Sequence, residues 1–478
     1  MNQTWNFQNT YTSLPQKLFS LQDPVPGLEP KLVLFNDALA ADLGLSNLDA
    51  NAEETAAIFA GNLLPEGAKP LAQAYAGHQF GHFNILGDGR AVLLGEQITP
   101  QNERFDIQLK GAGQTPYSRR GDGRATFSSM LREYLMSEAM HHLGIPTTRS
   151  LAVAKTGLPV YRERINEGAV LTRIAASHIR VGTFQFMRQF GTEEELQAFL
   201  DYTIDRHYPA LKNEENKALA LLKAVMEKQI DLMVHWIRVG FIHGVMNTDN
   251  MSIAGETIDY GPCAFLNVYD PKTVFSSIDQ NGRYAFGNQA LIARWNLAVF
   301  AGSLMPLIDS DEEKALALAQ YAIDQFHPLF MEKWYAMMYQ KLGITKPQEE
   351  DKTLVNEILE LLEIHKVDYT NFFYHLRFGT KGKATIYSDD TFSKWYKKWE
   401  KRQSGAASYA MMDTNNPILI PRNHLVEEAL DAYVKGDASV FNDLLEQLQQ
   451  PYYSEQRETI PQLVPADFDT CYQTFCGT

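Results

Sequence analysis

Residues 241–261 read FIHGVMNTDNMSIAGETIDYG, and this stretch constrains the chain more than any other. A long run with helical periodicity leads into it. It opens on His243-Gly244 and then sets Asn247, Asp249 and Asn250 close together. An apolar run at 251–254, a turn at Gly255 and a second run through Ile258, Asp259, Tyr260 and Gly261 predict a small hairpin. Amide and carboxylate oxygens sit at its ends, where they can converge on one ion. Such oxygens are hard ligands, suited to a magnesium ion that keeps several waters and bridges phosphates. Manganese can take the same oxygens. Asn250 and Asp259 are the candidate metal ligands, and Asp249 beside them is the candidate proton acceptor.

Composition narrows the class. The 478 residues carry a formal net charge of −15, which argues against a nucleic-acid surface because that needs a basic patch. A hydrophobic content of 45% is enough for a sizeable core, and the length allows about three domains. Three cysteines with no C-x-x-C pair fit a reducing compartment and no zinc site. The start, MNQTWNFQNTYTSLPQ, has neither the basic and apolar regions of a signal peptide nor the arginines of a transit peptide. No apolar run reads as long enough to span a bilayer. The expectation is a cytoplasmic monomer with no nucleic-acid or membrane partner.

Upstream of the central stretch the chain alternates strands, glycine-rich loops and one long helix. Residues 1–70 predict a strand at 32–34 and helices at 37–45 and 52–59, with no chemistry in view. GHQFGHFNILGDGR follows, with Gly87, Gly89 and Arg90 at its end, before a strand at 91–94. Its glycines let backbone N–H groups approach a phosphate, although a plain hairpin turn fits as well. In RFDIQLK, Phe105, Ile107 and Leu109 alternate with Asp106, Gln108 and Lys110, the period of a half-buried strand. Lys110 is either a solvated edge lysine or a site residue. GAGQTPYSRRGDGRA is a second glycine-rich loop, with Asp122 and Gly123 among Arg119, Arg120 and Arg124. A helix is expected over 126–143, with Leu131, Leu135, Ala139 and Leu143 on one stripe and Glu133 off it. Strands at 160–164 and 169–174, turned at Asn166-Glu167-Gly168, complete an antiparallel sheet.

This order of strand, glycine loop, strand with lysine and helix with glutamate is that of a protein-kinase N-lobe, where such a Lys and Glu pair. In the kinase catalytic loop and D-F-G signatures, Asn250 and Asp259 fall on the metal-binding positions. Val245, however, stands where the kinase base belongs, and valine accepts no proton. Arg173 and Arg180, in LTRIAASHIR, lie where a kinase holds its neutral adenine. Arginines suit phosphate through forked, charged hydrogen bonds, or else serve surface ion pairs. From Glu193 the chain is mainly helical, with helices expected at 216–239, 290–304, 312–325, 354–365 and 425–434.

The phrases AGHQFGHFNILGDGRA, DIQLKGAGQTPYSRRGDGRA, LREYLMSEAMHHLGIPTTRSL, LTRIAASHIRVGTFQF and GVMNTDNMSIAGETIDYGPCAF resemble the selenoprotein O family, whose bacterial members are of YdiU type. The resemblance implies an α+β, protein-kinase-like two-lobed fold: a small antiparallel N-lobe sheet with one helix, and a mainly helical C-lobe. Its divisions would be an extension at 1–70, an N-lobe at 71–185, a C-lobe at 186–450 and a tail at 451–478. It implies transfer of AMP from ATP to Ser, Thr or Tyr hydroxyls of proteins, with the nucleotide inverted relative to kinases. UTP is not distinguished, because no base-reading residue is evident. By the same resemblance Gly87, Gly89, Arg90, Lys110, Asp122, Gly123, Arg173, Arg180 and Asp259 bind ATP. Asn250 and Asp259 hold magnesium, Asp249 accepts the proton and Glu133 orients Lys110. Many animal members carry selenocysteine third from the C-terminus, where this chain has Cys476. The segment at 273–278 has no cysteine to join it; Cys263 lies nearer the metal loop and fits a small buried residue, and Cys471 precedes the end. A γ-phosphate-transferring kinase and a nucleotide-sensing pseudokinase without catalysis are the rival functions.

Overall fold

A computed structural model describes residues 5–79, 81–455 and 462–475. Its organising element is one antiparallel sheet. The strands are β1 (Phe19–Leu21), β2 (Lys31–Phe35), β3 (Leu71–Gln79), β4 (His82–Gly87), β5 (Ala91–Ile98), β6 (Arg104–Lys110), β7 (Ala125–Thr126), β8 (Arg149–Tyr161) and β9 (Ile165–Ala175). They run in the order β1-β3-β5-β6-β9-β8-β2, with β4 paired to β3 and β7 to β9. The sheet is larger than the small one expected, because residues 1–70 lend it strands at both ends of that order. Two short helices of the same region, α1 (Asp37–Asp42) and α2 (Glu53–Phe59), accompany it. Their Leu39, Leu43 and Phe59 pack with Ile107, Leu109, Leu151 and Val170 on one sheet face. These are the two helices expected over 37–45 and 52–59, each somewhat shorter than read.

The alternation in β6 has the predicted phase. Ile107 and Leu109 join that apolar layer, so Asp106, Gln108 and Lys110 take the opposite face. That face is not solvated: Asp106, Gln108 and Lys110 are all buried. The strand lies between β5 and β9 rather than at an edge, and its polar face is met by side chains from later in the chain, Glu133 at Lys110 and Arg206 at Asp106.

The long helix α3 (Phe127–His142) starts where expected. Thr126 caps it by accepting from the Ser129 amide at 3.3 Å, and Gly144 follows its end at φ +72°. The β8–β9 hairpin turns at residues 162–164, not at 166–168. Asn166 pairs with Val160 and Glu167 with Pro159 inside the ladder. A register shift between Lys155 and Pro159 moves the turn, an irregularity that residue type alone does not reveal.

The remaining helices are α4 (Val181–Phe190), α5 (Glu193–His207), α6 (Lys217–Val239), α7 (Gln289–Ile308), α8 (Glu312–Asp324), α9 (Phe326–Lys341), α10 (Asp351–Ile364), α11 (Tyr369–Phe378), α12 (Asp390–Glu400), α13 (Ala406–Asn415), α14 (Asn423–Val434), α15 (Ser439–Leu448) and α16 (Phe468–Cys471). Helix α6 runs from the Asn216 cap to Gly240, at φ +78°, and delivers the chain to the central stretch. Its Leu222, Val225, Ile230 and Met233 belong to the main core. Helix α7 changes one expectation. Residues 286–308 are long and apolar enough to cross a membrane, with mean hydropathy 1.5, and half of that window is buried inside the protein.

The predicted hairpin at 251–260 is absent. A two-stranded pair forms outside it, between β10 (Phe241–Ile242) and β11 (Ala264–Phe265). Inside it, Ser252 bridges to Arg180 and Thr257 to Thr147, so the two apolar runs pair with other parts of the chain rather than with each other.

Candidate active site

Four elements bring charge to one place. Lys110, at the end of β6, donates to Glu133 of α3 at 2.6 Å and also to Asp259. Arg173, on β9 beside Gln108, donates to Asp259 Oδ1 at 3.0 Å and lies 3.5 Å from Glu133. Lys110, Glu133 and Arg173 side chains are 6% exposed or less, whereas Asp259 retains 27%. The cluster is therefore open on the Asp259 side. Asp259 also sits at φ +66°, a conformation that costs a non-glycine residue energy and collects at functional sites. Burial raises its carboxyl pKa, but Arg173, Lys110 and Arg180 outweigh that and hold it well below the usual carboxylate range. Burial pulls the Lys110 amine down, while Asp259 and Glu133 push it back up.

Arg180 enters from the linker before α4. The linker is fixed on one side by Asp106, which accepts from the His178 amide and ring at 2.9 Å and from Arg206 at 2.6 Å. Burial would raise the Asp106 pKa; Arg206 and His178 bring it down to about 2. On the other side the linker runs against 251–253, through Val181 N to Met251 O and Ile253 N to Ile179 O. This pairing seats Asp249 beside Arg180. Asp249 Oδ1 is buried without a hydrogen-bond partner. Burial pushes its pKa up to about 6, with Arg180 lowering it, Asp259 raising it and Arg119 lowering it.

Close approach demands glycine here. A Cβ at Gly77 of β3 would strike the Asp249 carboxylate, and one at Gly182 of α4 would strike the Ala76 carbonyl. Gly182→Ala is therefore expected to destabilise the protein by about 1–3 kcal/mol, the range for overpacking, as a lower denaturation midpoint. A wild-type midpoint would show that α4 is free to shift from β3.

The fit of a cation can be judged from the oxygens. Asn250 spends its amide nitrogen on Val245 O at 2.9 Å, so its carbonyl oxygen is the atom left for a metal. Both cation contacts of Asp259 fall on Oδ1, which leaves Oδ2. Among the described residues no group of three or more His, Cys, Asp and Glu could hold a metal. Two protein oxygens fit an ion that completes its shell with water and phosphate, and would not fit a fully protein-ligated one. His243 braces both ligands: its Nδ1 accepts from Val245 N at 3.3 Å and its Nε2 bonds Ile258 O at 2.9 Å.

The glycine loops lie on each other. A Cβ at Gly87 would enter the Tyr117 ring, Ser118 donates to Gly89 O, and Thr115 donates to Asp88 O at 2.6 Å. Arg90 follows this crossing and is close enough to depress Lys110. Gly123, at φ +66°, passes against Gly113. Asp122 is not drawn into the ion-pair cluster: Arg162 forks its carboxylate at 2.8 and 3.0 Å, and it is 41% exposed. Cys263 is buried, and burial raises its thiol pKa to about 11; Cys471 is exposed, and both are free. Cys476 lies outside the described residues. Two cavities of about 510 and 530 Å³, lined around Asp279 and Leu291 and around Phe19 and Lys69, share no residue with the cluster.

Sequence reasoning passed over Asp88, which stands between the two glycines it did select. Asp88 is buried, 3.5 Å from Arg180 Nη1. It also passed over Tyr75, whose ring lies 4.1 Å from the Arg180 guanidinium. The signal for Tyr75 was its place two residues before Gly77 on one strand face.

Fold and site define a class: an α+β protein whose antiparallel sheet and helical part meet at a buried cluster of lysine, arginine and carboxylate side chains. The comparisons make the class specific. The family model described as "Protein adenylyltransferase SelO" matches residues 2–449. Proteins named protein nucleotidyltransferase YdiU are similar over nearly their whole length. The one from Bacillus thuringiensis subsp. konkukian is 54% identical over 99% of this chain and 98% of its own; that from Brevibacillus brevis is 53% identical with the same coverage. The chain belongs to the SelO family.

Proposed function

We propose that this chain is a protein nucleotidyltransferase that moves AMP from ATP to Ser, Thr or Tyr hydroxyls of proteins. The observation that carries this reading is the pair of buried arginines. Arg173 Nε and Nη1 and Arg180 Nε are buried donors without partners. Unpartnered buried donors are costly, so an anion with several acceptor oxygens is their natural complement. A kinase would put its neutral adenine there. A nucleotide lying the other way round puts its terminal phosphates there and its α-phosphorus near Asp249.

The chemistry is then local. The hydroxyl oxygen of the protein substrate attacks the α-phosphorus, and its proton passes to Asp249. The bond from the α-phosphorus to the bridging oxygen breaks, and pyrophosphate leaves. Lys110, Arg173 and Arg180 stabilise the charge on the leaving group. A pKa near the working pH suits Asp249 to take a proton and release it. Val245, 7% exposed, stands where a kinase would have its base. Magnesium, or manganese, would be held by Asn250 and Asp259 and would neutralise phosphate charge. Glu133 holds Lys110 in place. In this reading the arrangement is kinase-like and two-lobed, with an N-lobe at 71–185, a C-lobe at 186–450, the extension at 1–70 packed on the lobes and a tail at 451–478. Gly87, Gly89, Arg90 and Gly123 shape the nucleotide's surroundings, and Asp122 contributes by stapling its loop to Arg162. UTP is an alternative donor for the same site.

Label on the α-phosphorus of ATP is expected to stay on protein, and label on the γ-phosphorus is not. Retention of γ-label alone would mean a kinase. Retention of neither, with ATP still bound, would mean a sensor without catalysis.

A further inference from the structure

The face of β3 that meets the site continues past it. Side chains alternate along a strand, so Gln73, Tyr75 and Gly77 share one face. Gly77 abuts the Asp249 carboxylate, and Tyr75 lies against Arg180. Gln73 is the next step away from Asp249. It is 2% exposed, and its Nε2 is buried with no partner.

Asp88 stands beside it. Asp88 Oδ2 accepts from Gln73 N at 3.1 Å and from Gln108 Nε2 at 3.2 Å, and Oδ1 faces Arg180 Nη1 at 3.5 Å. Held by two donors, the carboxylate is fixed in place where it faces Arg180. A guanidinium has five N–H donors, so one nitrogen given to Asp88 leaves others for a ligand. Gln108 gives one of its two amide N–H donors to Asp88. We infer that Gln73 and Asp88 complete the terminal-phosphate subsite: Gln73 donates to that phosphate, and Asp88 is the positioning residue for Arg180. This rests on the inverted nucleotide proposed above. It also accounts for a carboxylate beside a phosphate site, because Asp88 stays paired with Arg180 while the phosphate meets the remaining donors.

Calorimetric titration of wild type, Asp88→Asn, Gln73→Leu and Arg180→Met with ATP and AMP tests it. Asp88→Asn and Gln73→Leu should each weaken ATP by about tenfold and AMP by less than about twofold. In transfer assays they should raise the KM for ATP by a larger factor than they lower kcat, a split that a general loss of structure does not produce. Equal losses for ATP and AMP, or none, while Arg180→Met still discriminates, would overturn the inference and leave the inverted nucleotide standing. If Arg180→Met does not discriminate either, the inverted nucleotide falls, and the inference with it. Should Asp88→Asn fail to fold, Gln73→Leu decides: an unchanged ATP-to-AMP ratio in it refutes the subsite.

Discussion

Asp249→Ala is expected to lower the rate of AMP transfer by about 10²- to 10⁴-fold, the usual contribution of a general base. ATP affinity should hold or rise slightly. The reason is the electrostatics around Asp249. Asp249 Oδ1 is buried without a hydrogen-bond partner, so losing that oxygen costs no hydrogen bond. It also removes a negative charge from the neighbourhood of Arg180, which a triphosphate must reach. Stability should not suffer, because a buried carboxylate with a raised pKa is held there at a cost. Single-turnover kinetics with α-labelled ATP, beside a binding titration, separates the two effects. A variant that transfers AMP at near the wild-type rate would remove Asp249 from the mechanism.

Asp259→Ala should abolish transfer, a loss of at least about 10²- to 10³-fold, but its binding signature is more telling. Asp259 pairs with both Lys110 and Arg173. Removing it frees those cations for phosphate oxygens and at the same time removes a proposed magnesium ligand. ATP binding without metal should therefore persist or strengthen, while the increment that magnesium gives should vanish. The free protein should also melt lower, since Lys110 keeps only Glu133 as a close counter-charge and two buried cations come to face each other. Titration with and without magnesium, together with thermal unfolding, reads all three. A magnesium effect of normal size in this variant would refute Asp259 as a ligand.

The two residues illustrate how the site is shared between the halves of the chain. Lys110, Arg173 and Glu133 come from a sheet and a helix whose periodicities are plain in the sequence. Asp249 and Asp259 come from a segment with almost no regular structure, located by the linker that carries Arg180. Gly182 and Gly77 allow that segment to approach, which is why a change at Gly182 should be felt at Asp249 as well as in stability.

Much of this was legible along the chain. Period-two alternation assigned β6 and placed Asp106, Gln108 and Lys110 on one face, because a strand's geometry is local. The helix ranges 126–143 and 216–239 were legible for the same reason, and the structure closes them with the Thr126 and Asn216 caps and the glycines after α3 and α6. Residue type alone named Asn250, Asp259 and Asp249 as oxygen donors, and the quoted phrases led to the family. What the sequence could not decide was partnership at a distance. The apolar runs at 251–254 and near 258 have hairpin composition, yet Ser252 pairs with Arg180 and Thr257 with Thr147. Lys110 reads as an edge lysine until β5 and β9 close around it. Asp122 reads like the other loop residues until Arg162 takes its carboxylate. Asp88 carries no local mark at all, since its importance lies in facing an arginine 92 residues away. Charge pairing and burial depend on which surfaces meet, and only the tertiary structure brings them together.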